Sequence, residues 1–199
     1  MKEKFVITIA RQFGSLGRPI ARKVSEELGI EYYDRDIVDI AAKKLNMPVS
    51  AISDNEEIAK SAFFNMSYPL GIGTTTIQDS IFQTQKKIIQ DLVEKESCII
   101  VGRCADYILK DHKNILNIFI YAPYEARFQN CVERLNMQPD EAKRMIASVD
   151  KARESYHKHY CGYSMSDKDY KHVMLDSSLF GVDGTTEILA DIIKKRFQL

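Results

Sequence analysis

Ile7-Thr8-Ile9-Ala10-Arg11-Gln12-Phe13-Gly14-Ser15-Leu16-Gly17-Arg18-Pro19-Ile20 joins an apolar β-type run to a turn with two glycines, and Ala21 to Leu28 continues it as a helix. A strand that feeds a helix through such a turn aims several backbone N–H groups and the positive end of the helix dipole at one spot, which suits an anion such as phosphate. Gly14 and Gly17 would let that backbone approach a ligand closely, Arg18 adds a fixed positive charge, and Pro19 fits the first helical turn, where a missing N–H costs nothing. The spacing departs from the phosphate-loop pattern G-x-x-x-x-G-K-[ST]. With Gly17-Arg18-Pro19 on its last three positions, Gln12 stands at the first Gly, Arg18 at the Lys and Pro19 at the Mg²⁺-binding hydroxyl. On spacing alone, the same residues also make a purely structural turn.

Outward from this stretch, short β-type runs alternate with helical patterns, the signature of a parallel sheet wrapped by helices. The strands are expected at Phe5 to Ala10, Ile30 to Tyr33, Ser97 to Val101, Ile115 to Tyr121 and His172 to Asp176. Ile77, Ile81, Ile88 and Leu92 share one face of a helix over Thr75 to Lys95, and Tyr124, Phe128, Cys131, Val132 and Leu135 share one face of another. These stripes read as core. Asn46 to Thr76 breaks the rhythm with Pro48, Pro69, Gly71, Gly73 and the polar run Ser53 to Glu57, and reads equally as a substrate-covering insertion or a surface excursion.

The chain has 199 residues, suited to one domain with some length to spare, and its 45% apolar and 28% charged composition is that of an ordinary globule. Twenty-eight basic residues against 28 acidic ones argue against a broad nucleic-acid-binding surface but leave room for a focused basic site. The apolar run Phe5 to Ala10 is shorter than a signal peptide or membrane span requires, so a cytoplasmic location is expected. Cys98, Cys104, Cys131 and Cys161 stand singly and read as reduced thiols buried as small apolar groups.

Arg103 follows an apolar strand and Gly102, at the end of the sheet where open α/β folds bind ligands, and can hold a phosphate bidentately or pair with Asp106. Asp34, beside Arg35 and Asp36, can accept from a sugar hydroxyl or base amine, or cap the helix that follows. On a helix from Pro139 to His159, Ala142, Met145, Val149, Ala152 and Tyr156 form the apolar stripe, with Asp150, Arg153 and His157 along its edge. Asp150 and Arg153 there overlook a cleft or simply pair with each other. His157, His159 and Cys161 invite a metal reading, against which a lid boundary is preferred for want of a fourth partner. Neither a Gly-x-Ser-x-Gly elbow nor a His-Glu-x-x-His helix occurs, so nothing supports acyl transfer or metalloprotease chemistry.

The chain resembles the cytidylate-kinase-like family of P-loop nucleoside monophosphate kinases over nearly its whole length. The resemblance rests on Ile9 to Arg18, Tyr33-Asp34-Arg35-Asp36, Ile99 to Arg103, Ile118 to Pro123 and Asp150 to Tyr156. It implies a single P-loop kinase-like domain over 1–199, with a five-stranded parallel sheet, helices on both faces in a three-layer sandwich, an acceptor-binding insertion near 46–76 and a helical lid near 153–168. It further implies transfer of the γ-phosphate of ATP or another NTP, with Mg²⁺, to a nucleoside monophosphate such as CMP. Arg11, Gly14, Ser15, Leu16, Gly17 and Arg18 look like the donor-phosphate positions; Asp34, Arg35 and Arg103 look like acceptor positions. Arg18, Arg153 and Lys151 would stabilise charge during transfer, and no Mg²⁺ ligand is identified. The expected partners are small nucleotides, with neither nucleic acid nor membrane, and the oligomeric state is left open. Because the loop is atypical, two alternatives stand beside this one: a nucleotide- or phosphate-binding sensor without transfer, and a kinase of a non-nucleotide small molecule.

Overall fold

Strand β1 (Val6–Arg11) is buried at every position because it lies in the middle of a parallel sheet, between β3 (Cys98–Val101) and β4 (Ile115–Tyr121). The computed structural model describes residues 3–49 and 75–199, and among these the sheet has five strands in the order β2-β3-β1-β4-β5. β2 is Glu31–Tyr33 and β5 is Val173–Asp176, both at edges. All four pairings are parallel. The five expected strands are therefore all present, each within a residue of its expected bounds.

Side-chain alternation along the strands builds two cores. Val6, Cys98, Ile100 and Ile115 face one side, where they meet α2 (Arg35–Leu45), α3 (Thr75–Lys95) and the short α4 (Ala105–Ile108). Ile7, Ile9, Ile99, Val101, Ile118 and Ile120 face the other, against α1 (Gly17–Leu28) and α7 (Ser177–Phe197). The continuous apolar strands thus reflect coverage on both faces, as parallel sheets require.

After β4 the chain forms α5 (Tyr124–Gln129), which runs into a five-residue π-helical turn, Asn130–Arg134. That wider turn changes the phase of the helix. Phe128, Cys131 and Val132 of the expected stripe join the cluster with Ala142 and Ile146, whereas Tyr124 and Leu135 end up exposed. The long helix α6 (Pro139–Cys161) buries Ala142, Ile146, Val149, Ala152, His157 and Cys161. Ile146 and His157 therefore join the buried face, where the sequence pattern had Met145, which is only partly buried, while Tyr156 packs partly buried against the core as expected.

Of the insertion expected at 46–76, residues 50–74 lie outside the described residues. The stretch expected as a lid, 153–168, comprises the last turns of α6, a loop after Gly162 and the first residue of a 3₁₀ turn, Lys168–Tyr170.

Candidate functional site

The loop after β1 is locked from several sides. Gly14 has φ +77°, and a Cβ there would lie 2.8 Å from the Arg127 carbonyl oxygen and 3.0 Å from Cys131 Sγ. A Cβ on Gly17 would lie 2.7 Å from Arg11 Cβ. The two glycines are thus required by the approach of the loop to its own protein, in addition to any ligand. The Ser15 side chain is fully buried, with its hydroxyl 2.9 Å from the Gln12 carbonyl and 3.2 Å from that of Ile120. It staples the loop to β4, so Ser15 can offer an anion only its backbone. Leu16 adopts a left-handed conformation (φ +58°) immediately before α1. The first N–H groups of α1 have no acceptor within the helix and form its positive end.

Three residues given no such role from the sequence, Asp150, Arg127 and Asn130, clamp the loop from the other side. Asp150, on α6, accepts from the Phe13 N–H at 2.7 Å and from Arg127 Nη1 at 2.5 Å. Arg127 Nη1 also lies 3.2 Å from the Phe13 carbonyl, and Asn130 Nδ2 donates to the Gly14 carbonyl at 2.9 Å. Asp150 therefore serves the loop and does not pair with Arg153. Arg127 lies in α5, next to its apolar stripe, and the fold turns it inward and buries it.

Asp34 is the hub of the charged cluster. Its carboxylate is 3.9 Å from Arg11 Nη2, 3.7 Å from Arg103 Nη2 and hydrogen-bonded to Arg18 Nε; Tyr32 Oη adds a contact at 3.3 Å. Asp34 precedes α2 but makes no side-chain cap hydrogen bond, so the capping alternative is not what the structure shows. Burial, with the Asp34 charge second, pushes the Tyr32 hydroxyl up to about 12 and keeps it a neutral donor. Arg103 Nη2 also lies 3.4 Å from the Asp34 carbonyl. It stands in a run of three left-handed residues, Gly102 (φ +75°), Arg103 (φ +60°) and Cys104 (φ +53°). For the two non-glycine residues this costs about 1–2 kcal/mol each, and such strain concentrates at functional sites. The turn delivers the guanidinium to Asp34 and away from Asp106, which has other partners.

Arg153, from α6, donates to the Arg11 carbonyl at 3.3 Å and lines the same cleft as Arg11, Arg103, Tyr156 and Met165. Three guanidinium groups thus meet the Asp34 carboxylate, with Arg153 beside them on the Arg11 carbonyl, at the carboxyl ends of β1 and β3 and the topological switch point of the sheet. Lys151, two residues before Arg153 on the helix, is exposed and does not line the cleft. The structure does not bring it into the cluster. Arg35 begins α2, and its side chain lies outside what is described.

Asp106, which the sequence offered only as a partner for Arg103, forms a second buried node. It accepts from His157 Nε2 at 3.2 Å to each oxygen, from Tyr163 Oη at 3.3 Å and from Lys171 Nζ at 2.5 Å, while His157 Nδ1 donates to the Tyr163 carbonyl at 3.1 Å. Burial alone would raise the Asp106 carboxyl, but the hydrogen bond from His157 and the Lys171 charge hold it down at about 2. For His157, burial opposes the charge and the Asp106 hydrogen bond overcomes it, raising the imidazole to about 10. Neither Asp34 nor Asp106 is left to bind Mg²⁺ by itself, Pro19 has no hydroxyl, and the Ser15 hydroxyl points into the protein. The described residues therefore do not fit a protein-built Mg²⁺ site.

Comparison with known proteins places this geometry. A model of the cytidylate kinase-like family matches residues 6–179. A cytidylate kinase from Methanopyrus kandleri is 26% identical over 193 residues, covering 92% of this chain and 90% of that protein. Among solved structures, an uncharacterized protein from Eubacterium ventriosum superposes with a TM-score of 0.72 at 27% identity, over 96% of this chain and 99% of that one. Shikimate kinase from Acinetobacter baumannii superposes with a TM-score of 0.55 at 14% identity, over 98% and 96% of the two chains, and shares the fold. The fold is that of the P-loop kinases, and with its match from the first strand to the start of the last helix the chain belongs to the cytidylate kinase-like family.

Proposed function

We propose that this kinase-family protein transfers the γ-phosphate of ATP or another NTP to a nucleoside monophosphate such as CMP. The observation that carries the proposal is the convergence of Arg11, Arg18 and Arg103 on the Asp34 carboxylate, with Arg153 held beside them on the Arg11 carbonyl, at the ligand-binding edge of the sheet. These four guanidiniums gather positive charge at one edge of the sheet, in a chain whose total charge is zero. Phosphoryl transfer asks the protein for positioning and for positive charge around the equatorial oxygens, with no covalent nucleophile.

In this reading the loop Arg11 to Arg18 receives the donor phosphates on the backbone at Gly14 to Gly17 and on the start of α1. Arg18, in place of the usual Lys, is a planar fork that grips two oxygens at once. An incoming phosphate competes with Asp34 for Arg18 and Arg103, and the carboxylate so released can accept from an acceptor hydroxyl or amine. Arg153, anchored to the Arg11 carbonyl, supplies charge from the α6 side. Mg²⁺ is carried by the substrate phosphates and water, which its preference for retained waters allows. The 26% identical cytidylate kinase supports CMP as the first acceptor to try.

A coupled assay across nucleoside monophosphates and small hydroxylated metabolites, with Arg18→Ala as control, tests this. Turnover on CMP that the variant loses supports the proposal. Turnover only on a non-nucleotide acceptor moves the acceptor class, ATP binding without turnover makes the protein a sensor, and no nucleotide binding by calorimetry with Mg²⁺ present overturns both.

A further inference from the structure

Cys104 and Cys161 come from different parts of the chain and meet behind the arginine cleft. Cys104 ends the strained Gly102-Arg103-Cys104 turn, and Cys161 is the last residue of α6, one turn after His157. The two sulfurs and an imidazole nitrogen of His157 all lie within 4.8 Å of one another. Both nitrogens of His157 face groups that only accept, the Tyr163 carbonyl and the Asp106 carboxylate, so both donate and the ring is an imidazolium. Lys171, whose side chain is wholly buried, brings a second cation to Asp106.

Cations beside a thiol favour the thiolate, which is the nucleophile in oxidation. The hydrogen bond from Cys104 first, and His157 after it, outweigh burial and lower the Cys161 thiol to about 7. Burial does the opposite elsewhere, pushing Cys98 up to about 12 and raising Cys131. Access differs too. Cys161 lines a cavity of about 430 Å³ shared with Tyr107, Tyr163, Tyr170 and His172, ample for a molecule little larger than water, whereas Cys104 lines the arginine cleft.

We propose that Cys161 is an oxidation site at which a hydroperoxide forms a sulfenic acid, and that Cys104 resolves it as an intramolecular disulfide. In the first step, with hydrogen peroxide, the Cys161 thiolate attacks one peroxide oxygen; the S–O bond forms, the O–O bond breaks, and the hydroxide released leaves as water with the proton that the Cys161 thiol gave up on ionising. In the second, the Cys104 thiol attacks the Cys161 sulfur; the S–S bond forms, the S–O bond breaks, and the oxygen leaves as water with the Cys104 proton. Two thiols are oxidised by two electrons and one peroxide is reduced to two waters. The bond would tie the turn that carries Arg103 to the end of the helix that carries Arg153. Two thiols and an imidazole are also a zinc-type ligand set. As an imidazolium, however, His157 has no lone pair to give, and Lys171 adds a nearby positive charge.

The test uses the whole chain, reduced, washed with chelator, exposed to hydrogen peroxide, then alkylated under denaturing conditions and peptide-mapped without reductant. The expected result is a Cys104–Cys161 bridge, with alkylatable thiols falling from four to about half and recovering with dithiothreitol. Cys104→Ser should accumulate a dimedone-reactive sulfenic acid on Cys161, and Cys161→Ser should abolish both products. Retention of all four thiols after peroxide, oxidation of Cys98 or Cys131 as fast as Cys161, or zinc found on the cysteines of the purified protein by elemental analysis would each overturn the proposal. Wild-type mapping alone decides the matter if a variant misfolds, and none of these readouts depends on phosphoryl transfer.

Discussion

Asp34 holds together charges that would otherwise repel. Arg11 and Arg103 are almost fully buried, and the Asp34 carboxylate is their shared counter-ion. Replacing it by Ala takes a shared counter-ion away from buried cations, and breaking a buried pair typically destabilises by about 3–5 kcal/mol. Urea unfolding of Asp34→Ala should show such a loss, with part of it restored by millimolar pyrophosphate, because an added anion can replace the carboxylate. A stability change under about 0.5 kcal/mol, the size typical of a surface substitution, would show that Asp34 is not the hub. Lys151→Ala belongs at the other extreme: exposed and away from the cleft, it should leave stability within about 0.5 kcal/mol and turnover near wild type. Nothing in the residue pattern separates Lys151 from Arg153, since both lie on a long helix two positions apart; the burial of Ile146 and His157 sets the face, and that depends on packing. By contrast the places of Gly14, Gly17 and Arg103 in the fold were legible, because a glycine-containing turn or an arginine that follows an apolar strand falls at the carboxyl edge of the sheet whichever use it serves.

At the scale of elements, the loop is held by α5 and α6 together. Asp150 bridges the Phe13 N–H and Arg127, so it couples the end of β1 to the helix that also carries Arg153. Asp150→Ala removes charge-assisted hydrogen bonds worth about 1.5–3 kcal/mol each, and stability should fall by about that much. If the clamp positions the phosphate loop, the variant should also weaken nucleotide binding in calorimetry by more than Lys151→Ala does. Equal affinities in the two variants would confine Asp150 to a structural role. The strands were readable because their continuous apolar runs and alternation admit one arrangement in a doubly covered parallel sheet. The π-turn Asn130–Arg134 was not, since a periodicity of 3.6 carries no sign of an inserted residue. Yet that turn places Asn130 on the Gly14 carbonyl and turns Tyr124 and Leu135 outward.

Across the whole molecule, a neutral total charge conceals two buried charged nodes on neighbouring strand ends, Asp34 with its arginines and Asp106 with His157 and Lys171. The second node governs how stability responds to pH. His157 is raised to about 10 when folded, against an ordinary value near 6.5, so the stability it contributes is fully present below pH 6.5 and is lost as pH rises through 10. Asp106 is lowered to about 2, so its contribution is present above its ordinary value near 3.8 and is lost as pH falls toward 2. Both groups describe one ion pair, and its contribution peaks where both are charged in the unfolded chain as well, between roughly pH 4 and 6.5. Between pH 6.5 and 9, the unfolding free energy from urea titrations should therefore decline with a slope of at most about 1.4 kcal/mol per pH unit from this node. In His157→Gln the amide keeps a hydrogen bond to Asp106 but cannot titrate, so the variant should be less stable at pH 6 and flatter across this range. A wild type as flat as the variant would mean that His157 is neutral in the folded protein. That result would also remove the imidazolium beside Cys161, so the same titration bears on the thiol chemistry behind the cleft.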